Sequence, residues 1–385
     1  MSTARPLAAR RLGVDVAPAL VAATMLAALA AATALTVSGR QAAILVVAAG
    51  LGVALYHGAL GFTAMWRRWL AAGDGRGVRV QLWIIGLGSL GIFPLIGGWL
   101  PGFSAYGAVV PLGLELVLGA ALFGLGMQLA NGCGSGTLYT LGGGSTKMLV
   151  TLTAFVVGSL IATFHLHLWY ELPGLPAFSA VHAWGVPTAL AAQAALLLAL
   201  ALVARPKARG IARPEAGDDD GRGLYLAATA LALLAVLLFW LQGRPWGVTF
   251  AFALWGGKLY EALGGDLAAV PFWSAGWAQA ALDRSLLADT TSVTNFGVIL
   301  GALMAAALAG RFRPPLTVPW RHALAAVIGG LAMGYGARLA SGCNIGALLG
   351  GTMSGSLHGW LWLLAALAGM WLGVKLRPRF GLAVP

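Results

Sequence analysis

Charge is scarce in this chain. Asp, Glu, Lys and Arg make up 9% of its 385 residues, against about 25% in a soluble domain, too few to coat a water-facing surface. Cysteine is scarcer still. Cys133 and Cys343 are the only two, which excludes a disulfide framework. With no histidine at a ligand spacing beside them, it also excludes a structural zinc site. No Gly-Lys-Thr phosphate loop is present, so nothing here couples directly to ATP by that route. The balance is basic, with a net charge of +12. No basic stripe alternates with aromatics, and a nucleic-acid partner is not expected.

What the chain has instead is apolar length. Hydrophobic residues account for 59% and glycine for 56 positions. Residues 16–37 and 183–204 carry no charge, and about 20 apolar residues match the ~30 Å hydrocarbon core of a bilayer. Candidate spans are 16–37, 42–65, 80–100, 111–131, 148–168, 183–204, 224–241, 246–264, 293–310, 322–341 and 357–374. Residues 16–37 are too long for a signal-peptide core and are read as a retained span. The only strongly polar linker, 205–223, separates a first repeat at 42–204 from a second at 224–385, with 1–41 as an N-terminal segment and extra span.

Basic residues cluster at Arg5–Arg11, Arg67–Arg79, Arg205–Arg222, Arg311–Arg321 and Lys375–Arg379. Cytoplasmic loops carry such excesses, which puts both termini in the cytoplasm. Three apolar blocks then lie between two inside loops, so one must fail to cross. Segment 242–264, with Gly and Pro at its start and Gly256-Gly257 within it, is the candidate. Broken backbone at membrane depth is tolerated where protein or a water-filled cavity surrounds it.

The sharpest signal is internal. Residues 119–138 (GAALFGLGMQLANGCGSGTL) align without gaps on 329–348 (GGLAMGYGARLASGCNIGAL), nine of twenty positions being identical. The two cysteines fall in register within the shared G-x-G-x-x-L-A-x-G-C-x-x-G-x-L. A weaker echo links 58–66 with 247–255. By the charge argument the copies run in opposite directions, the plan of many secondary transporters. The expected fold is all-α: an integral membrane protein, an inverted-repeat helical bundle of about ten spans with central re-entrant Gly-Cys loops.

Such loops have a chemistry. Gly132, Gly134, Gly136, Gly342 and Gly346 leave backbone N–H groups unshielded. A helix starting near Thr137 or Ala347 turns its positive dipole on the loop. A thiol adds a weak S–H donor and a polarizable sulfur. The combination suits a sulfur-containing anion.

At NGCGSG (131–136) and SGCNIG (341–346) the sequence resembles the YeeE/YedE family of bacterial inner-membrane sulfur transporters. The resemblance implies thiosulfate uptake, with Cys133 and Cys343 as relay thiols that pass the anion inward by S–H hydrogen bonds. The family also has an earlier cysteine. The matching segment here, HGALGFTAMW (57–66), has none, with Gly61 near the expected place and His57 or Thr63 as candidate polar substitutes.

Among other residues, Arg338 is either functional or snorkels to the interface. Asn131 and Asn344 flank the cysteines and can bond substrate or loop backbone. Glu115 is a candidate proton carrier or half of a structural ion pair, Lys147 and Lys258 are candidate anion-attracting or, more simply, topogenic charges, and His165 and His167 read as interfacial. Trp360, Trp362 and Trp371 read as an aromatic belt. The expected protein is a transporter without cofactor or enzymatic step. Its partners are thiosulfate or a related sulfur anion, the lipid bilayer, and a sulfur-carrier or rhodanese-like protein. A membrane sulfurtransferase and a thiol-independent anion channel are the alternatives.

Overall fold

The computed structural model describes residues 13–205 and 221–384. The linker expected at 205–223 and the first twelve residues lie almost wholly outside these. The helices, in order, are α1 (Val16–Thr36), α2 (Gly39–His57), α3 (Phe62–Ala72), α4 (Arg76–Ile96), α5 (Leu114–Ala130), α6 (Gly134–Gly142), α7 (Thr146–Trp169), α8 (Ala180–Trp184), α9 (Val186–Val203), α10 (Arg222–Gln242), α11 (Thr249–Ala262), α12 (Pro271–Ser274), α13 (Gly276–Asp283), α14 (Thr290–Leu308) and α15 (Trp320–Leu339). A π-helical turn (Asn344–Leu349), α16 (Gly350–Thr352) and α17 (Leu357–Leu376) complete the bundle. The only sheet among the described residues is a two-residue ladder, β1 (Leu112–Gly113) against β2 (Gly174–Leu175). Its end of the bundle is called the hairpin end below, and the opposite end, where α9 stops and α10 starts, the linker end.

Among the described residues ten segments are long and apolar enough to cross a membrane: α1, α2 with α3, α4, α5 with α6, α7, α9, α10, α14, α15 with its following turns, and α17. Block 246–264 is not among them. Its helix α11 has 14 residues, about 21 Å at 1.5 Å per residue, short of a bilayer core. Phe252, near the start of α11, packs 4.7 Å from Phe155 in the middle of α7, and Tyr260, near its end, packs 5.7 Å from Phe164. The helix therefore starts at mid-depth and returns toward the hairpin end.

Packing is reciprocal. The most extensive helix pairs are α7 with α15 and α5 with α17, each the counterpart of the other under the cysteine-motif repeat. α2 with α14 and α4 with α10 form a second such pair, and α5 with α15 pack on each other. The repeated glycines sit where helices touch. A β-carbon on Gly126 would lie 2.6 Å from the Gly329 carbonyl, and one on Gly336 would lie 2.5 Å from that of Gly119. Small residues are what allow helix backbones to approach this closely in a membrane.

The aromatic belt holds in part. Trp371 is half exposed, with the Lys375 ammonium 3.4 Å above its ring. Trp362 is instead fully buried, 5.6 Å from the Phe123 ring. Position 362 faces the α5 interface rather than lipid, and tryptophan serves either setting.

Candidate functional site

Both Gly-Cys loops turn by the same device. Asn131 (φ 68°) and Ser341 (φ 54°) end α5 and α15 in the left-handed region. A side chain seldom adopts this conformation, and Asn is among the few that tolerate it. The next residue is glycine in both. A β-carbon on Gly132 would meet the Thr137 nitrogen at 3.4 Å; one on Gly342 (φ 144°) would meet the equivalent Ala347 nitrogen at 2.8 Å. The chain thus doubles back onto its own next helical turn.

Each cysteine is then the N-cap. Cys133 Sγ accepts from Gly136 N–H at 3.4 Å, and Cys343 Sγ accepts from Ile345 N–H at 3.4 Å. The helical turns begin at Gly134 and Asn344, three residues earlier than expected at Thr137 and Ala347. Both thiols are buried and unpaired. They also converge: Cys343 Sγ lies 3.0 Å from where a Gly134 β-carbon would be, and Val248 Cγ1 lies 3.5 Å from the same point. Gly346 faces the Gly247 backbone.

Polar atoms without partners surround the meeting point. Both side-chain heteroatoms of buried Asn344 are unsatisfied. Asn295 donates to the Val248 carbonyl at 2.9 Å and leaves its Oδ1 free. A buried polar group without a partner costs about 1–3 kcal/mol, so such atoms mark places where a further molecule can bond.

A cavity of about 480 Å³ reaches this point from the hairpin end, lined by Arg244, Thr249, Asp289, Arg338, Gly342 and Gly346 among others. Arg338 does not snorkel away. It donates to Thr249 Oγ1 at 2.7 Å and keeps an unpartnered Nε. On the other copy its place is taken by Gln128, buried and bonded to the Thr63 carbonyl at 3.3 Å. At the linker end Arg67 donates to Asn131 Oδ1 at 2.8 Å, Arg377 donates to the Gln128 carbonyl, and the buried Lys147 Nζ has no partner among the described residues. These cations meet at the end of α5, just before the Cys133 loop. Lys147 is thus part of the site's surroundings, whereas Lys258 is tied to the Leu282 carbonyl.

Three expectations change. His57 is exposed at the end of α2 against Tyr56 and does not reach the centre. Glu115 has no ion pair; Arg76–Asp74 is the one salt bridge among the described residues. Near Gly61 the neighbouring polar group is one that spacing did not suggest: the Tyr139 hydroxyl lies 3.1 Å from where a Gly61 β-carbon would be. Thr63 is buried nearby in sequence with an unpartnered hydroxyl. No group of three or more potential metal ligands occurs among the described residues.

Against known proteins, residues 57–372 match the sequence profile of the family described as "Sulphur transport". The chain belongs to the sulphur transport family. Its match to the probable transporter YedE of Escherichia coli is 31% identical over 160 residues, 41% of this chain and 39% of that protein. The chain thus aligns with about two-fifths of that relative's length. The thiosulfate transporter TsuA of Spirochaeta thermophila is 28% identical over 66% of this chain and 75% of its own. TsuA of Escherichia coli is 26% identical over 87% of this chain and 95% of its own. The profile covers both Gly-Cys loops of this family member.

Sequence reasoning had no access to Thr249, Asn295 or Tyr139. Arg67 and Arg377 were visible only as loop charges. Thr249 does fall within the weak 58–66/247–255 echo, the one signal that could have marked it.

Proposed function

We propose that the chain carries thiosulfate or a related sulfur-containing anion across the bacterial inner membrane, along a path lined by the two Gly-Cys loops. The observation that carries this reading is the convergence of Cys343 Sγ on Gly134, beside Cys133. The two relatives named as thiosulfate transporters support it.

The path begins at the hairpin end, taken as the outer face because the basic residues crowd the linker end. The termini are then cytoplasmic. Ten single crossings make α5 the fourth and α15 the ninth, hence opposite in direction. This is an inverted repeat with both loops re-entrant. Arg338 draws the anion into the 480 Å³ cavity. Gly342 and Gly346, whose backbones line the cavity without side chains, and the unsatisfied Asn344 amide receive it. The Cys343 thiol and then the Cys133 thiol offer soft S–H donors. Gly132, Gly134 and Gly136 hold the passage open, and Asn131, gripped by Arg67, marks the inner side. The Tyr139 hydroxyl beside Gly61 takes the position of a third donor. No covalent step is part of this reading. A sulfur-carrier or rhodanese-like protein receives the anion at the linker end.

The test is growth on thiosulfate as sole sulfur source in a bacterial strain lacking sulfate and thiosulfate uptake. The native chain restores growth, and Cys133→Ala or Cys343→Ala, equally well inserted, does not. Undiminished growth with both alanine variants would overturn thiol involvement.

A further inference from the structure

A second cavity, of about 470 Å³, lies away from the path, on the flank of the bundle between α4, α9 and α10. Its floor is Gly86 on α4, and Trp83, Ala194, Leu197 and Tyr225 form its walls, with Arg79 at one end. Such a volume is within the ~300–1,000 Å³ of ordinary ligand sites. It runs along α4 from Arg79 to Leu90, about 16 Å at 1.5 Å per residue, all within an apolar span.

The reciprocal packing explains why the groove is there. α1 lies on α14 as α9 lies on α4. α1 also packs along α2, to which Val37-Ser38 ties it directly. α9 makes no comparable packing with α10, from which residues 204–221 separate it. On one flank protein closes the gap; on the other no described residue closes it.

The groove is also polarised. α4 and α10 run side by side in the same direction: Trp83 packs 6.1 Å from Tyr225 and donates to Thr229 Oγ1 at 3.0 Å, while Gly91 abuts Val236. That register brings Arg79 near the start of α10, where Arg222 stands. Asp74 at this end is occupied by Arg76 at 2.8 Å, and neither Arg79 nor Arg222 has a carboxylate partner among the described residues. The bulk of the groove is apolar, with Ser89 and Gln193 bonded to each other at 3.1 Å.

We propose that this groove is a binding site for an anionic phospholipid. One acyl chain lies along Gly86 between α9 and α10, and the phosphate headgroup rests on Arg79 and Arg222 at the linker end. The lipid does on this flank what α1 does on the other: it seals the bundle. The assignment does not depend on what the central path carries.

The test uses the full chain, purified in mild detergent, stripped of lipid, and given phosphatidylglycerol or phosphatidylcholine. Native mass spectrometry counts bound lipid, and thermal unfolding follows stability. The native chain retains phosphatidylglycerol and melts higher with it than with phosphatidylcholine. Arg79→Gln lowers that preference about fivefold, the weight of one basic residue at an anionic lipid surface. Ala194→Phe fills the groove: it loses the retained lipid and the lipid-induced rise, yet in lipid-free detergent melts no lower than the native chain. Equal retention of both lipids, retention unchanged by Ala194→Phe, or a mass of two chains without lipid would each overturn the proposal, the last by making the occupant a second copy.

Discussion

The sulfur of Cys343 lies 3.0 Å from the point where a β-carbon on Gly134 would sit. Those two residues belong to opposite copies of the repeat, so the contact joins two loops that approach from opposite ends of the bundle. Glycine at 134 keeps the space beside the thiol free of side chain.

Gly134→Ala narrows that space without a gross clash, because its other near neighbour, Val248 Cγ1, is at an ordinary 3.5 Å. Overpacking of this kind costs about 1–3 kcal/mol. The variant should insert normally and melt slightly lower, while thiosulfate uptake falls about tenfold or more, the penalty in that range expressed as a rate. Radiolabelled uptake at matched membrane abundance decides it. Normal uptake would mean the anion does not pass this point.

Serine separates the two duties of the cysteines. As N-caps, Cys133 and Cys343 accept backbone N–H bonds through sulfur, and serine is among the preferred N-cap residues. Cys133→Ser and Cys343→Ser should therefore keep or raise thermal stability while uptake drops. A fall in stability together with uptake would identify capping, not relay, as what the thiols supply.

The glycines outside the loops should register as stability instead. Gly126→Ala and Gly336→Ala each drive a methyl into a facing backbone carbonyl, of Gly329 and Gly119 respectively, and α5 and α15 must separate to accept it. Both should lower the melting temperature, by similar amounts because the contacts are reciprocal, at a cost of about 1–3 kcal/mol each. Gly39→Ala, with nothing within 4 Å of the new methyl, is the control and should leave melting unchanged.

The difference between these two sets of glycines marks what the sequence made readable. Identity at a fixed offset revealed the duplication and the paired cysteines, and the parity of the basic loops revealed a block that fails to cross, because repetition and charge placement are read directly along the chain. Contacts between distant segments were not readable. Thr249 meets Arg338 only because α11 starts at mid-depth, and Tyr139 meets Gly61 only because α6 packs on α2, whose end leads into the turn that holds Gly61. Trp362 was misjudged for a related reason: an apolar helix with little amphipathic bias does not announce which face meets protein. The ion pair expected for Glu115 failed likewise, since no base among the described residues lies against it.

Arg338 should govern capture rather than passage. Its guanidinium lines the cavity leading to Gly342 and is held by Thr249. Arg338→Gln removes the charge but can still donate to Thr249. Apparent KM for uptake should rise about tenfold, equivalent to ~1.4 kcal/mol, with maximal rate less affected. Added inert salt should weaken capture by the native chain more than by the variant, since screening acts only on a charge that is present. A variant that loses maximal rate with KM unchanged would move Arg338 from capture to the passage itself.

The Tyr139 hydroxyl offers the most particular test, because this chain has Gly61 where the resemblance leads one to expect a thiol. If the hydroxyl supplies the third donor, Tyr139→Phe should insert and melt like the native chain, since ring packing is kept, and should lose most of its uptake. Gly61→Cys in the Tyr139→Phe background then brings a thiol to the vacated space, the ring having shed the oxygen that lay 3.1 Å from the new β-carbon, and should restore part of the flux. Gly61→Cys with Tyr139 intact crowds the two groups and should impair uptake instead. Recovery in the double variant, alongside impairment in the single one, requires the two positions to share one function; full uptake by Tyr139→Phe alone would remove the hydroxyl from the path.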